Sequence, residues 1–290
     1  MRLCAERVDA HLARFLLLLH EGEDSMRTWI LCRFLWSFLL VLGGSASLFS
    51  QNQPPASDPQ AIAFASQSIA ALTGGNVMSD VTLSGNVVWT VGSESQAGTA
   101  NLQGKGTTES RVDLFLSGGT RSDVRNVASD SPSGAWETNG TSSTAYAFHN
   151  CWTDAAWFFP ALSSLSQTAN PRLIFKYIGQ EQHNGVATQH IQVFQVPVQG
   201  PKSAQRLSLM DFYLDPASYL PLAISFNLHP DDDMSTNIPV EIDFANYQAV
   251  SGIQVPFHFQ RSFNGGVVLD VTVTNAVFNS GLPDSLFTLP

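Results

Sequence analysis

The sequence predicts a mainly β protein with a few helices, built as a single antiparallel meander of about ten or eleven strands. Two observations carry that prediction. From Leu207 onward, short stretches alternate apolar and polar residues. Ile238, Val240, Ile242 and Phe244 oppose Pro239, Glu241, Asp243 and Ala245, and Ile253, Val255, Phe257 and Phe259 oppose Gln254, Pro256, His258 and Gln260. Val267, Leu269, Val271 and Val273 likewise oppose Asp270, Thr272 and Thr274. Successive side chains of a strand point to opposite faces, so each stretch makes a strand with one apolar face. Turn chemistry separates the stretches. Val250-Ser251-Gly252 and Asn264-Gly265-Gly266 can supply positive backbone dihedrals, and Asp215-Pro216 followed by Tyr219-Leu220-Pro221 breaks the chain between two further strands.

The remaining elements follow in chain order. Ser57-Asp58-Pro59-Gln60 is a capping-box signature, with Ser57 as the expected N-cap. Ile62, Ala65, Ile69 and Leu72 recur at helical spacing and Gly74-Gly75 stops the run, which predicts a helix of about 15 residues with one apolar face. Val81 to Trp89, a thinner Gly98 to Gly106 stretch, Arg111 to Leu116, Val124 to Val127, Trp136 to Thr138 and Thr144 to Phe148 read as strands. Leu173 to Gly179 and Thr188 to Val196 follow, turned at Asn184-Gly185. Between these groups, Ala155, Ala156, Trp157, Phe158, Phe159, Ala161, Leu162 and Leu165 are apolar almost all round, with Pro160 in the middle. Two short helical turns are expected there, too short to cross a membrane and therefore in need of an apolar concavity to occupy.

The first 50 residues read as an address. Arg27 and Arg33, an apolar core from Phe34 to Leu42 broken by Ser37, and then Gly43, Gly44, Ser45, Ala46 and Ser47 match a secretory signal peptide over residues 26–50, cleaved near Ser47 or Ser50. The core is shorter than the roughly 20 residues that span a bilayer. Export to the periplasm is therefore the leading expectation and an uncleaved anchor the second. Residues 1–25 carry five acidic residues and fit no export signal, so the protein is expected to start at Met26, residues 1–25 being a non-native extension. Residues 51–56 read as a flexible leader and 57–290 as one β domain. Cys32 follows Trp29-Ile30-Leu31, which lacks the small residue a lipoprotein signal needs, and Cys151 is the one cysteine beyond the signal, so no internal disulfide is available. A net charge of -10 argues against nucleic acid and anionic membrane surfaces. A monomer without cofactor is expected.

One helix ahead of a long meander, the apolar insertion midway, and the ending Leu282-Pro283-Asp284-Ser285-Leu286-Phe287-Thr288-Leu289-Pro290 resemble the envelope lipoprotein-carrier superfamily typified by LolA and LolB. The likeness extends to Asp215-Pro216 through Leu222 and to Asn246-Tyr247 through Pro256-Phe257. The resemblance implies an unclosed, half β-barrel wrapped over a helical lid, with an apolar interior that accepts acyl chains. The functional arginine of that family matches no local motif at Arg111, Arg121 or Arg125, so no single residue role is transferred.

Among candidate sites, Trp157, Phe158, Phe159 and Leu162 of the insertion, with Phe244, Phe257 and Phe259 of the sheet, are the expected ligand-binding residues, as lid and cavity lining. Either the insertion swings aside for an acyl chain or it is a fixed core plug. His149-Asn150-Cys151 places a thiol beside an imidazole, but adjacent strand positions point apart and no orienting residue is evident. His229-Pro230-Asp231-Asp232-Asp233 lacks the spacing of a calcium loop and reads as a solvated turn. His183 and His190 flank a hairpin turn and read as surface histidines, not as a zinc site. Asn139-Gly140-Thr141 matches a glycosylation acceptor and reads as chance. The expected function is a non-enzymatic, exported carrier or sensor of lipid, acyl chains or acylated lipoprotein. A structural or regulatory module meeting an envelope protein partner is the alternative, and a hydrolase using Cys151 or the histidines is a third.

Overall fold

The structure, a computed structural model, describes residues 55–128, 130–196 and 203–289. The expected signal peptide, its expected cleavage site and the expected start at Met26 lie outside the described residues, as does the expected leader up to residue 54. Helix α1 (Pro59–Thr73) begins at Asp58, whose Oδ1 accepts from the Gln60 amide at 2.8 Å, and ends at Gly74 in the left-handed conformation. Asp58 takes the capping place expected of Ser57. The Ser57 hydroxyl instead donates to the Leu173 carbonyl at 3.3 Å and accepts from the Phe175 amide at 3.1 Å. It thereby ties the start of the helix to the rim of the sheet. Ala61, Ala65, Ser68 and Leu72 form the helix's buried stripe.

Among the described residues thirteen strands follow: β1 (Asp80–Val91), β2 (Glu94–Lys105), β3 (Glu109–Leu116), β4 (Gly119–Asn126), β5 (Ser133–Thr138), β6 (Thr144–Ala145), β7 (Leu173–His183), β8 (Val186–Gln195), β9 (Met210–Leu214), β10 (Pro221–Leu228), β11 (Ile238–Val250), β12 (Ile253–Phe263) and β13 (Gly266–Phe278). A single turn of helix, α2 (Ala204–Leu207), precedes β9. All thirteen lie in one antiparallel sheet, in the order β6-β5-β4-β3-β2-β1-β13-β12-β11-β10-β9-β8-β7. Among the described residues the sheet does not close, its free edges being β6 and β7, and it forms an open half-barrel. Two successive meanders, β1 to β6 and β7 to β13, are fused where the last strand pairs with the first. The expected turns hold: Ser251 and Gly252, Asn264 and Gly265, and Asn184 and Gly185 all have positive φ. In a two-residue hairpin loop, such pairs match the twist of the flanking strands.

One continuous core covers the inner face of the sheet. α1 packs against β7, β8, β12 and the insertion, and Leu83, Leu102, Phe212, Ile242, Phe259 and Val271 meet it from the strands. The β1–β13 seam carries a bulge between Ser84 and Gly85, where a side chain on Gly85 would place Cβ 2.3 Å from the Thr272 carbonyl oxygen. The obstruction is backbone and cannot rotate away. Gly85→Ala is expected to destabilise the protein by about 2 kcal/mol or more, read as a lowered urea midpoint; an unchanged midpoint would show that the seam can relax.

A plugged half-barrel with a charged cavity

The apolar insertion lies on the inner face of the sheet and is buried: Phe158 and Phe159 are 0 % exposed, and Leu162 and Leu165 are buried beside them. Pro160 starts a short turn, Pro160–Leu162, and does not break one; a second turn runs over Ser164–Gln167. Glycine at position 104 lets the insertion approach β2, since a Cβ there would stand 3.0 Å from the Ala156 methyl and 3.3 Å from Leu162. Trp157 meets Phe259 edge to face with centroids 6.1 Å apart, and Phe159 stacks on Phe278 at 6.0 Å.

Three polar fastenings hold the insertion. Asn150 Nδ2 donates to the His229 carbonyl at 2.8 Å while the His229 amide donates back to Asn150 Oδ1 at 2.8 Å. Arg125 on β4 donates to the carbonyls of Asn150, Thr153 and Asp154 and to the Thr153 hydroxyl at 3.2 to 3.3 Å. Asp154 accepts from the Ser164 amide at 2.8 Å and hydroxyl at 3.0 Å, closing the insertion into a loop. Burial pushes the Asp154 pKa from the ordinary 3.8 up to about 6, against the opposing pull of Ser164 and Arg125.

Beside the plug is a cavity of ≈ 540 Å³. Trp157 lines it from the plug; Trp89, Val112, Leu114, Leu228, Ile238, Phe263, Val268 and Leu269 line it from the strands and their ends; Val91, Gly92 and Asp231 form an exposed rim. Four charged side chains also line it: Arg121, Asp123, Arg125 and Arg261. Their position follows from register. Asp123 lies opposite Val112 and Arg121 opposite Leu114, and Val112 and Leu114 belong to the core, so the odd-numbered positions of β4 face inward. Arg261 on β12 lies opposite core residues Ile242 and Leu269. Arg121 sits over the Trp136 ring at 4.6 Å, and Arg261 over Trp157 at 4.7 Å and Phe263 at 4.9 Å. The Tyr146 hydroxyl donates to Asp123. Burial raises the Asp123 pKa, with Tyr146 and the three arginines opposing, and lowers that of Arg261 to about 10.

Of the residues expected to bind ligand, Trp157 borders the cavity. Phe158, Phe159, Leu162, Phe244 and Phe259 are buried in the core, and Phe257 is partly buried against it. The inward arginines are the feature that alternation of apolar residues misses, because β4 carries charge where an ordinary strand carries its apolar face; only the register with β3 places them. Cys151 is fully buried and burial raises its pKa, which disfavours the thiolate a nucleophile needs. His190 is not a surface histidine. It is buried, with Nε2 2.8 Å from Asp211 and Nδ1 3.1 Å from Glu181, and burial notwithstanding these partners raise its pKa. His183 stacks on Tyr213 at 3.6 Å, and His183, Glu241 and Asp243 could hold a cation, their ligand atoms lying within 4.8 Å of one another. Asn184 Nδ2 already bridges both carboxylates at 2.9 and 3.2 Å.

No protein-family profile and no curated protein sequence matches the chain. Solved structures do. An outer membrane lipoprotein-sorting protein domain from Vibrio parahaemolyticus superposes with a TM-score of 0.50 at 15% identity, over 78% of this chain and 95% of that one. A DUF1329 family protein from Desulfovibrio piger gives 0.53 at 10% identity, over 81% and 98%. A LolA superfamily protein from Nitrosomonas europaea gives 0.48 at 10% identity, over 79% and 97%. At these identities the likeness to the first two is one of fold alone, and the open half-barrel is the architecture expected. Among the described residues no helix is long and apolar enough to cross a membrane.

The raised pKa of Asp154 fixes a sign. Between about 4 and 6 the folded protein holds a proton that the unfolded chain has lost, so stability falls as pH rises through that window. The melting temperature of the protein relative to Asp154→Asn is therefore expected to drop from pH 4 to pH 6 in circular-dichroism melts; a difference independent of pH would remove Asp154 as its source.

Proposed function

We propose that this is an exported envelope protein that binds lipid, or the acyl chains of a lipoprotein, in the half-barrel cavity, and that it does no chemistry of its own. The observation that carries the reading is the standing ≈ 540 Å³ cavity, walled mostly by apolar side chains and bounded by Trp157. Its size falls within the range of small-molecule sites, roughly 300 to 1,000 Å³. The fold it shares with a lipoprotein-sorting domain supports the reading, as does the signal-peptide pattern of residues 26–50, which points to the periplasm.

The expected lid-and-lining set divides accordingly. Trp157 meets the ligand, whereas Phe158, Phe159, Leu162, Phe244 and Phe259 support the wall from within the core and Phe257 packs against it. Burying each large apolar side chain stabilises by about 1.5 to 3 kcal/mol, so entering the open cavity costs far less than swinging the plug away. A second reading rests on the edge of β7, of which, among the described residues, Ser57 and Asp58 cover only the part near Leu173 and Phe175. The remaining edge could accept a strand from an envelope protein partner.

Native mass spectrometry of the exported protein separates the two: a co-purifying acyl species supports the carrier, and an empty protein with a bound polypeptide supports the edge. In binding assays with the uncharged probe N-phenylnaphthylamine, Trp157→Ala is expected to shift affinity several-fold. Phe158→Ala is expected chiefly to cost about 3 to 5 kcal/mol of stability. The reverse assignment would make the insertion a moving lid.

A further inference from the structure

We propose that Arg121 and Arg261 form a binding site for the anionic head, carboxylate or phosphate, of an amphiphile whose chain occupies the cavity; this rests on the lipid-binding reading above. Three guanidiniums line the cavity, Arg121, Arg125 and Arg261, against the inward carboxylate of Asp123 and that of Asp231 at the exposed rim, so positive charge is in excess there inside a protein of net charge -10. Arg125 is spoken for by the insertion's carbonyls. Arg121 and Arg261 are not: among the described residues neither guanidinium makes a hydrogen bond or ion pair, and Arg261 Nε is buried without a partner.

What these two arginines do have is aromatic support. Trp136 stands 4.6 Å from the Arg121 guanidinium carbon and Trp157 4.7 Å from that of Arg261. Ring contact holds a guanidinium in place by its face while its N–H groups, which lie along the edge, stay available. That fork is the shape that matches a carboxylate or phosphate with two parallel hydrogen bonds. Asp123 accepts from the Tyr146 hydroxyl, and among the described residues it hydrogen-bonds to neither arginine. A buried cation without a partner is costly. The lowered pKa of Arg261 reflects that cost, and an incoming anion would relieve it. Around this pair the wall is apolar, with Val112, Leu114, Leu228, Ile238, Val268 and Leu269, so the cavity offers a charged place for a head and a greasy place for a chain.

The test is titration of the exported protein with palmitate, 1-palmitoyl lysophosphatidate and hexadecanol, read by tryptophan fluorescence, to which Trp89, Trp136 and Trp157 contribute near the arginines. At least one of the two anions is expected to bind about tenfold or more tightly than hexadecanol, and the tighter of them identifies the head group. Arg121→Gln with Arg261→Gln is expected to abolish that preference while hexadecanol affinity holds; tenfold corresponds to about 1.4 kcal/mol. If the double variant fails to fold, the wild-type comparison decides alone. Equal affinity for all three overturns the anion site and leaves the lipid cavity standing. Binding of none overturns the lipid reading itself.

Discussion

β1 and β13 pair from Val81 with Phe278 to Trp89 with Leu269, and across this seam Thr274 reaches the Ser84 carbonyl from 190 residues away. Everything at the site depends on that pairing. Each meander alone would be a twisted sheet with an unsatisfied edge and an uncovered apolar face. Joined, they make one surface broad enough to curve around α1 and the insertion. The join also brings β4 and β12 to opposite walls of one cavity, although they are separated in the sheet by β3, β2, β1 and β13. Closing so long a loop is slow and entropically costly, and the local hairpins on either side must form to make it worthwhile.

The position of the cavity follows from which residues the inner face carries. Where the strands offer Leu83, Leu102, Phe212, Ile242 and Phe259, the insertion and α1 can fill the concavity with matching hydrocarbon at interior density. Where they offer Arg121, Asp123, Arg125 and Arg261, no apolar segment can pack without stripping water from charge. The plug therefore stops at Trp157, an aromatic that can satisfy a neighbouring guanidinium by its ring face, and space remains beyond it. Arg125 then serves as the boundary post, spending its donors on the carbonyls that lead into the plug.

Much of the fold was legible because the sheet's apolar face obeys a period of two. Val240, Ile242 and Phe244, and Leu269, Val271 and Val273, are buried as their spacing requires, and the asparagine-glycine turns fall where positive dihedrals are needed. The helix was legible from its cap to within one residue. Asp58 outcompeted Ser57 because Ser57 was taken by the backbone of β7, a partner more than a hundred positions away. The candidate site was far less visible. On β4 the residues that face inward are charged, so a reading by apolar alternation starts the strand late, at Val124, and leaves its arginines without a direction. His190 escaped for the same reason, its carboxylate partners lying on β7 and β9. The aromatic insertion was visible as a segment in want of a cavity, but its neighbours were not: they come from register, which sequence spacing alone does not give.

Charge distribution sharpens the contrast between outside and inside. The chain as a whole carries -10, and exposed charges act over a Debye length of about 10 Å at 0.1 M salt. An anion approaching the molecule is thus gently opposed, and one at the proposed site meets two partly buried guanidiniums, where water screens charge less than outside. Such an arrangement favours ligands whose hydrocarbon draws them in and whose head is then recognised at short range, over small soluble anions that have nothing to bury. At the proposed site selectivity comes from the conjunction of chain and head, the chain supplying affinity and the head the preference among ligands with equal chains.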